Sequence, residues 1–243
     1  MLRPIGLAAA GAGGALAVHA LPGLSNVDVI RRRMLPALSG VGSPTHVALT
    51  FDDGPQPEST PAFLAALDRL GWRVTFFMLG SMVDRAPALA AEVAAAGHEV
   101  AVHGYDHRSE LLRRPRAVAD DLARAVDAVS AVAAAPPVWF RPPYGSLSAA
   151  GVMAARRHRL RPVLWTTWGR DWRADATPRS VVDDVARHLG PGATVLLHDS
   201  DCTSAPGAWR SALGALDDLG ELFAARGLTV GPLSGHGLAS GTG

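Results

Sequence analysis

The sequence predicts an α/β fold built on a parallel sheet, and three observations carry that prediction. Short apolar runs alternate with helical runs from His46 onward. The apolar runs are continuous in Val, Leu and aromatic residues, as strands buried on both faces require. Ionisable residues recur just after the last positions of those runs, the end at which parallel α/β folds gather their functional groups. Seven such strands with six intervening helices, in about 200 residues of βα repeats, would make a barrel if they closed on themselves. An open doubly wound sheet is the alternative.

Strands are expected at 46–51 (HVALTF), 73–79 (RVTFFML), 98–103 (HEVAVH), 137–140 (PVWF), 162–168 (PVLWTTW), 193–198 (ATVLLH) and 228–232 (LTVGP). Ser59, Thr60 and Pro61 open the first helix, in which Phe63, Leu64, Leu67 and Leu70 form a stripe that Gly71 stops. A second helix is expected over 86–96, ending at Gly97, and others over 116–134, 148–159, 178–189 and 209–226. Residues 41–233 read as one domain with neither linker nor internal repeat, and the Gly- and Ser-rich 234–243 as a flexible tail.

Residues 1–40 form a separate extension. No formal charge occurs from Pro4 to Val27, and Arg3 with the small-residue pattern Val18-His19-Ala20 resembles a secretory signal. Glycines and Pro22 make the segment a poor transmembrane anchor. Arg31, Arg32 and Arg33 outnumber Arg3, a bias that would hold the domain behind an uncleaved anchor in the cytoplasm. A third reading packs the extension on the domain. Secretion or membrane association is the expectation, with cytoplasmic residence the alternative, and membrane contact would run through this segment.

Composition narrows the chemistry. With 243 residues, 48% hydrophobic and 19% charged, the chain can bury a full core. A formal charge of +1 gives no electrostatic reason to expect nucleic acid as a partner. The sequence contains no lysine, which excludes lysine Schiff-base chemistry and the phosphate-loop lysine. A single cysteine, Cys202, excludes an internal disulfide and a multi-cysteine metal site. Any metal must therefore be held by carboxylates and some of the nine histidines.

Five strand ends deliver candidates. The first ends in Asp52-Asp53-Gly54-Pro55, where adjacent carboxylates repel unless a cation compensates. One aspartate would serve a metal and the other proton transfer. His103 and His107, four apart around a turn that Gly104 permits, would complete a two-His, one-carboxylate set with open coordination positions. Zinc is the default for such a set, although ligand type leaves other divalent metals open. Arg141, in the proline-stiffened Arg141-Pro142-Pro143-Tyr144-Gly145, would pair with the aspartate that does not bind metal. His198 needs an orienting partner, and Asp171 is the candidate. Trp168, Trp172 and Trp209 are candidates for stacking on a ligand ring.

These motifs, in this order, resemble the polysaccharide deacetylases, carbohydrate esterase family four, from about His46 to Leu233: TFDDGP at 50–55, His103 with His107, RPPYG at 141–145, Asp171-Trp172 and LLHD at 196–199. The resemblance implies a distorted parallel (β/α) barrel of about seven strands. It implies a divalent metal held by Asp53, His103 and His107, most often Zn2+, with Co2+, Mn2+, Ni2+ or Fe2+ as alternatives. Asp52 would be the general base and His198 the general acid. Arg141 would position Asp52, Asp171 would orient His198, and the Tyr144 amide would help hold the oxyanion. Leu196 and Trp172 would line the substrate pocket. The substrate implied is an N-acetylated glycan; an acetyl ester on a polysaccharide and a catalytically silent glycan-binding domain are the alternatives. Oligomeric state is left open.

Two positions depart from the family pattern. Gly104 stands where Ser or Thr usually follows the first histidine, so the metal loop would be looser, or braced by Tyr105 or Asp106. Trp168 stands where a further Asp is usual. The remaining histidines receive structural readings: His46 and His98 at strand starts, His158 and His188 near helix C-termini, His19 and His236 in the terminal segments. Cys202, with no activating partner to name, reads as a structural thiol.

Overall fold

Every residue of β1 (His46–Asp52) after His46 is buried, and a strand that apolar needs cover on both faces and both edges. In a computed structural model of the chain, which describes residues 36–238, β1 is accordingly central. It pairs with β2 (Thr75–Met78) on one edge and β7 (Thr194–His198) on the other. Beyond β2 come β3 (Glu99–Val102), β4 (Trp139–Phe140) and β5 (Arg161–Pro162), and beyond β7 lies β6 (Thr167–Trp168). β8 (Thr229–Gly231) pairs with His46–Ala48 at the start of β1. All pairings among the described residues are parallel.

The connection between the two edge strands makes the sheet curl. β5 ends at Pro162 and β6 begins at Thr167, five residue steps that span at most about 18 Å. Seven flat strands would hold their edges about 29 Å apart. The sheet therefore closes towards a barrel, the distorted (β/α) barrel expected from the motifs. The single strand expected over 162–168 is thus two strands. Its apolar run feeds both edges of the sheet, and periodicity cannot register the break because Val163, Leu164 and Thr166, which lie across it, are as buried as strand residues.

Alternation sorts the strand residues. Val47, Leu49 and Phe51 face the helices, where Phe51 packs on Phe63 and Phe76 at 5.1 and 5.3 Å between ring centroids. Ala48, Phe77, Ala101, Trp139 and Val163 form a smaller cluster with Leu233. Asp52 shares the Ala48 face of β1, and Leu196 and His198 alternate with Val195 and Leu197, which belong to the helix-side core.

The helices are α1 (Pro36–Ser39), α2 (Thr60–Arg69), α3 (Gly80–Arg85), α4 (Pro87–Ala95), α5 (Pro115–Val132), α6 (Ala149–Arg157), α7 (Pro178–His188), α8 (Trp209–Gly214) and α9 (Leu216–Ala225). Short α3 was not expected from periodicity. It begins where Gly80 and Ser81 donate backbone N–H groups to the carbonyls of Gly104 and Tyr105. The helix expected over 209–226 breaks at Ala215, after Gly214, whose missing Cβ makes room for Pro178.

At the far end of the chain, the segment after Leu233 is packed rather than frayed as far as Leu238. His236 is fully buried, its Nε2 lies 3.1 Å from the Gly192 carbonyl, and its Nδ1 lies 2.8 Å from Nδ1 of His46. That pairing explains why a Gly- and Ser-rich stretch is held. Among the described residues no helix is long and apolar enough to cross a membrane. The charge-free segment 4–27 and Arg31–Arg33 lie outside the described residues, as do 239–243.

Candidate active site

The C-terminal strand ends bring the expected residues together. Asp52 closes β1 and Asp53 follows with φ 80°, a left-handed conformation that turns its carboxylate towards the β3 loop. His103 follows β3, and His107 (φ 48°) returns to the same point four residues later. Asp53 Oδ1 lies 3.4 Å from Nε2 of each histidine. One donor atom from each of Asp53, His103 and His107 lies within 4.8 Å of the other two.

This trio fits a divalent cation. Asp53 Oδ1 is buried without a hydrogen-bond partner, a costly state that a cation would relieve. His103 Nδ1 lies 2.8 Å from the Arg141 carbonyl, which can only accept, so Nδ1 carries the proton and Nε2 presents its lone pair. Asp52 is less suited to the metal. Its Oδ2 is 3.6 Å from His103 Nε2, and its Oδ1 accepts from Arg141 Nη1 at 2.6 Å.

Arg141 is fully buried and shared among Asp52, Thr50 Oγ1 at 2.8 Å and the Leu164 carbonyl at 3.1 Å. Burial lowers its pKa, and the charge and hydrogen bond of Asp52 oppose that effect. Asp53 shows the converse balance. Burial favours its neutral form, but the neighbouring imidazoles of His103, His198 and His107 outweigh it and hold its pKa below the usual carboxylate range. Burial pushes His107 down to about 4, against the pull of Asp53, which leaves a neutral imidazole free to ligate.

His198 ends β7 and is clamped twice by Asp171, through Nδ1 at 3.0 Å and through its backbone N–H at 2.7 Å. Burial disfavours its charge, yet the Asp171 charge and hydrogen bond prevail and raise its pKa to about 10. Asp52, His103, His107, Tyr144, Leu196, Trp172 and His198 line one cavity of about 260 Å³, with Trp165, Trp168 and Thr203. Tyr144 (φ 59°) stands exposed at the rim, its ring 4.5 Å from that of His107. Trp209 is not part of this lining; it packs on the helix-side core.

Several supporting residues escaped the sequence reading. Asp121 of α5 accepts from the Tyr105 N–H at 2.9 Å and from Arg113 at 2.7 Å, and the Tyr105 hydroxyl donates to Asp84 at 2.6 Å. The loop that lacks a hydroxyl at Gly104 is thus braced through Tyr105 and not through the exposed Asp106. Thr203 Oγ1 donates to Asp53 Oδ2 at 2.5 Å, and nothing in the sequence around it marks it out. Ser59 and Thr60, expected as helix-start residues, instead donate to the carbonyl and carboxylate of buried Asp199. Burial raises Asp199 to about 7, and Gly54 is required because a Cβ there would overlap that carboxylate. Cys202 Sγ is 3.6 Å from the Asp53 carbonyl, and its thiol pKa is raised to about 11, so it is no ready nucleophile.

The arrangement can hold a cation, take a proton at Asp52 and give one from His198 across a single cavity. That is the equipment of hydrolysis at a carbonyl. Residues 39–163 match the polysaccharide deacetylase family model. A chitooligosaccharide deacetylase from Bradyrhizobium sp. is 35% identical over 210 residues, covering 83% of this chain and 94% of the relative. A solved peptidoglycan N-acetylglucosamine deacetylase superposes with a TM-score of 0.76 at 25% identity, covering 84% of this chain and 94% of that one. A family-four pseudoenzyme from Bacillus anthracis superposes with a TM-score of 0.71 at 26% identity, covering 80% and 66% of the two chains.

Proposed function

The chain belongs to the polysaccharide deacetylase family, and on that premise we propose that it is a metal-dependent hydrolase removing acetyl groups from the N-acetylated sugars of a glycan. The observation that carries the reading is one cavity lined by His103 and His107, with buried Asp53 3.4 Å from both, by a carboxylate fixed by Arg141 and by a histidine fixed by Asp171. The Bradyrhizobium relative and the peptidoglycan deacetylase support an amide of an amino sugar as substrate.

A divalent cation bound by Asp53, His103 and His107, with zinc the metal best matched to that set, would polarise the acetamide carbonyl and the attacking water. Asp52 accepts the water proton at Oδ2, the oxygen that Arg141 leaves free. Arg141 keeps that carboxylate aimed, since its guanidinium is itself locked by Thr50 and Leu164. The Tyr144 amide, in the turn Pro143–Gly145, helps bind the developing oxyanion. One donor of this kind contributes about 3 kcal/mol to the barrier.

His198 then protonates the departing nitrogen from Nε2, because Asp171 holds the other ring proton at Nδ1. An amine is a poor leaving group as an anion, so the amide needs this acid more than an ester would. Leu196 and Trp172 line the cavity where the acetyl methyl is seated. The products are acetate and a free amino sugar.

The test is acetate release from N-acetylglucosamine oligomers, peptidoglycan and acetylated xylan, with and without chelator. The expected result is release from an N-acetylated glycan that chelator abolishes and added zinc restores. Release unaffected by chelator overturns the mechanism. Release from xylan alone makes the protein an O-acetyl esterase. Binding of glycans without any release makes it a silent relative of the kind the pseudoenzyme represents.

A further inference from the structure

The cavity has two unlike walls. One carries His103, His107 and Tyr144. The other is an arc of indole rings. From the His198 imidazole, Trp172 lies at 5.8 Å between centroids, Trp168 follows at 4.8 Å and Trp165 at 5.6 Å, the last two within 29° of parallel. The arc returns to the base, because the Arg141 guanidinium lies 5.7 Å from the Trp165 ring and binds Asp52. A continuous aromatic surface therefore runs from the base to the acid.

These rings are not core. Trp139, a core indole, is only 4% exposed, whereas Trp165, Trp168 and Trp172 are each half-buried and each line the cavity. Leaving flat apolar surface in a water-filled cleft is unfavourable unless a ligand covers it. Trp168 is also held firmly. It is the register partner of Leu196 across β6 and β7, and the next residue, Gly169, packs so closely that a Cβ there would meet Leu197 at 2.5 Å. Its main chain is fixed before a ligand arrives, which lowers the cost of binding.

The ligand that matches this cavity has one polar group to present to the metal wall and a flat face of C–H bonds to lay on the indoles. A pyranose ring bearing an acetamide has both. We propose that Trp165 and Trp168 bind the ring of the sugar carrying the scissile acetamide, and that Trp168 selects a cyclic sugar over other acetyl compounds. This rests on the glycan-deacetylase reading above. It adds the residue that tells a sugar from any other acetylated group, a role the metal set cannot fill because it meets only the acetyl carbonyl.

The test compares wild type with Trp168→Ala, Trp168→Leu and Trp168→Phe on two substrates, tetra-N-acetylchitotetraose and 4-nitrophenyl acetate. The quantity read is the ratio of their kcat/KM values. Trp168→Ala and Trp168→Leu are expected to lower the ratio about tenfold or more, with the loss on the glycan lying in KM. Trp168→Phe, which restores a flat ring, should recover most of it. Should the alanine variant fail to fold, the similarly bulky Leu and Phe variants carry the comparison. A ratio within twofold of wild type in the Leu variant, or equal losses in Leu and Phe, overturns the proposal. Were wild type to release no acetate from the glycan, the deacetylase reading would fall. The arc would then be judged by fluorescence titration with the same oligomer: saturable quenching reduced in Trp168→Leu supports it, and no quenching overturns it.

Discussion

Asp52 and His198 are direct register partners on the adjacent strands β1 and β7. The proposed base and acid therefore leave the sheet at one level and on one face, and no loop has to bring them together. Loops supply the proposed metal ligands; the sheet itself sets the proposed proton-transfer pair. Their roles are separable by substitution.

Asp52→Asn keeps the shape and the hydrogen bond to Arg141 but cannot take a proton. Acetate release should fall by roughly 10²–10⁴-fold. Zinc affinity by calorimetry should stay within severalfold of wild type, since Asp53, His103 and His107 are untouched. A variant that retains activity would remove Asp52 from the mechanism.

Arg141→Met leaves Asp52 buried without its cation. Breaking a buried pair in this way costs about 3–5 kcal/mol, which in a domain of this size lowers the melting temperature by roughly 10 °C. Activity should be lost in protein that is still folded at 20 °C. A melting temperature unchanged from wild type would mean that the pair is not a structural tie.

The pH dependence of His198 has a definite direction. Burial alone would lower its pKa, but Asp171 first, with the charges of Asp53 and Asp52, raises it from 6.5 to about 10. A group whose pKa rises on folding stabilises the fold fully below its unfolded value, and that contribution is lost as pH climbs through the folded value. With chelator present, stability should therefore decline between about pH 6.5 and pH 10. Asp171→Asn should flatten that decline and move the alkaline limb of the activity profile to lower pH. Denaturant melts at successive pH values check the first part and initial rates the second; an identical stability profile in the variant would refute it.

Asp121 braces the proposed metal loop through the Tyr105 main chain. Asp121→Ala should weaken zinc binding about tenfold, with kcat at saturating zinc close to wild type. A fall in kcat that zinc does not restore would show that the brace shapes the cavity itself.

The strand ends were the legible part of this molecule. Asp52, Asp53, His103, Arg141 and His198 each close an apolar run, so periodicity and residue chemistry find them together. What escaped was held by contacts distant in sequence. Thr203 reaches Asp53 across 150 positions, and Asp199 is tied to Thr60 across 139. No local pattern encodes either. The break between β5 and β6 was hidden for a different reason: Val163, Leu164 and Thr166 are as buried as strand residues, although they lie between strands. Trp165 was hidden with them.

Residues 36–45 and the stretch after β8 both run beneath the starts of the strands. Gly42 bonds Gly192, Ser43 bonds His236, and the His46 and His236 rings meet there. The cavity opens at the opposite end of the barrel. Attachment of the domain at either of these segments, to a bead, a surface or a second domain, would thus point the cavity away from its support. A tethered form could work on an insoluble substrate facing it without first having to turn around.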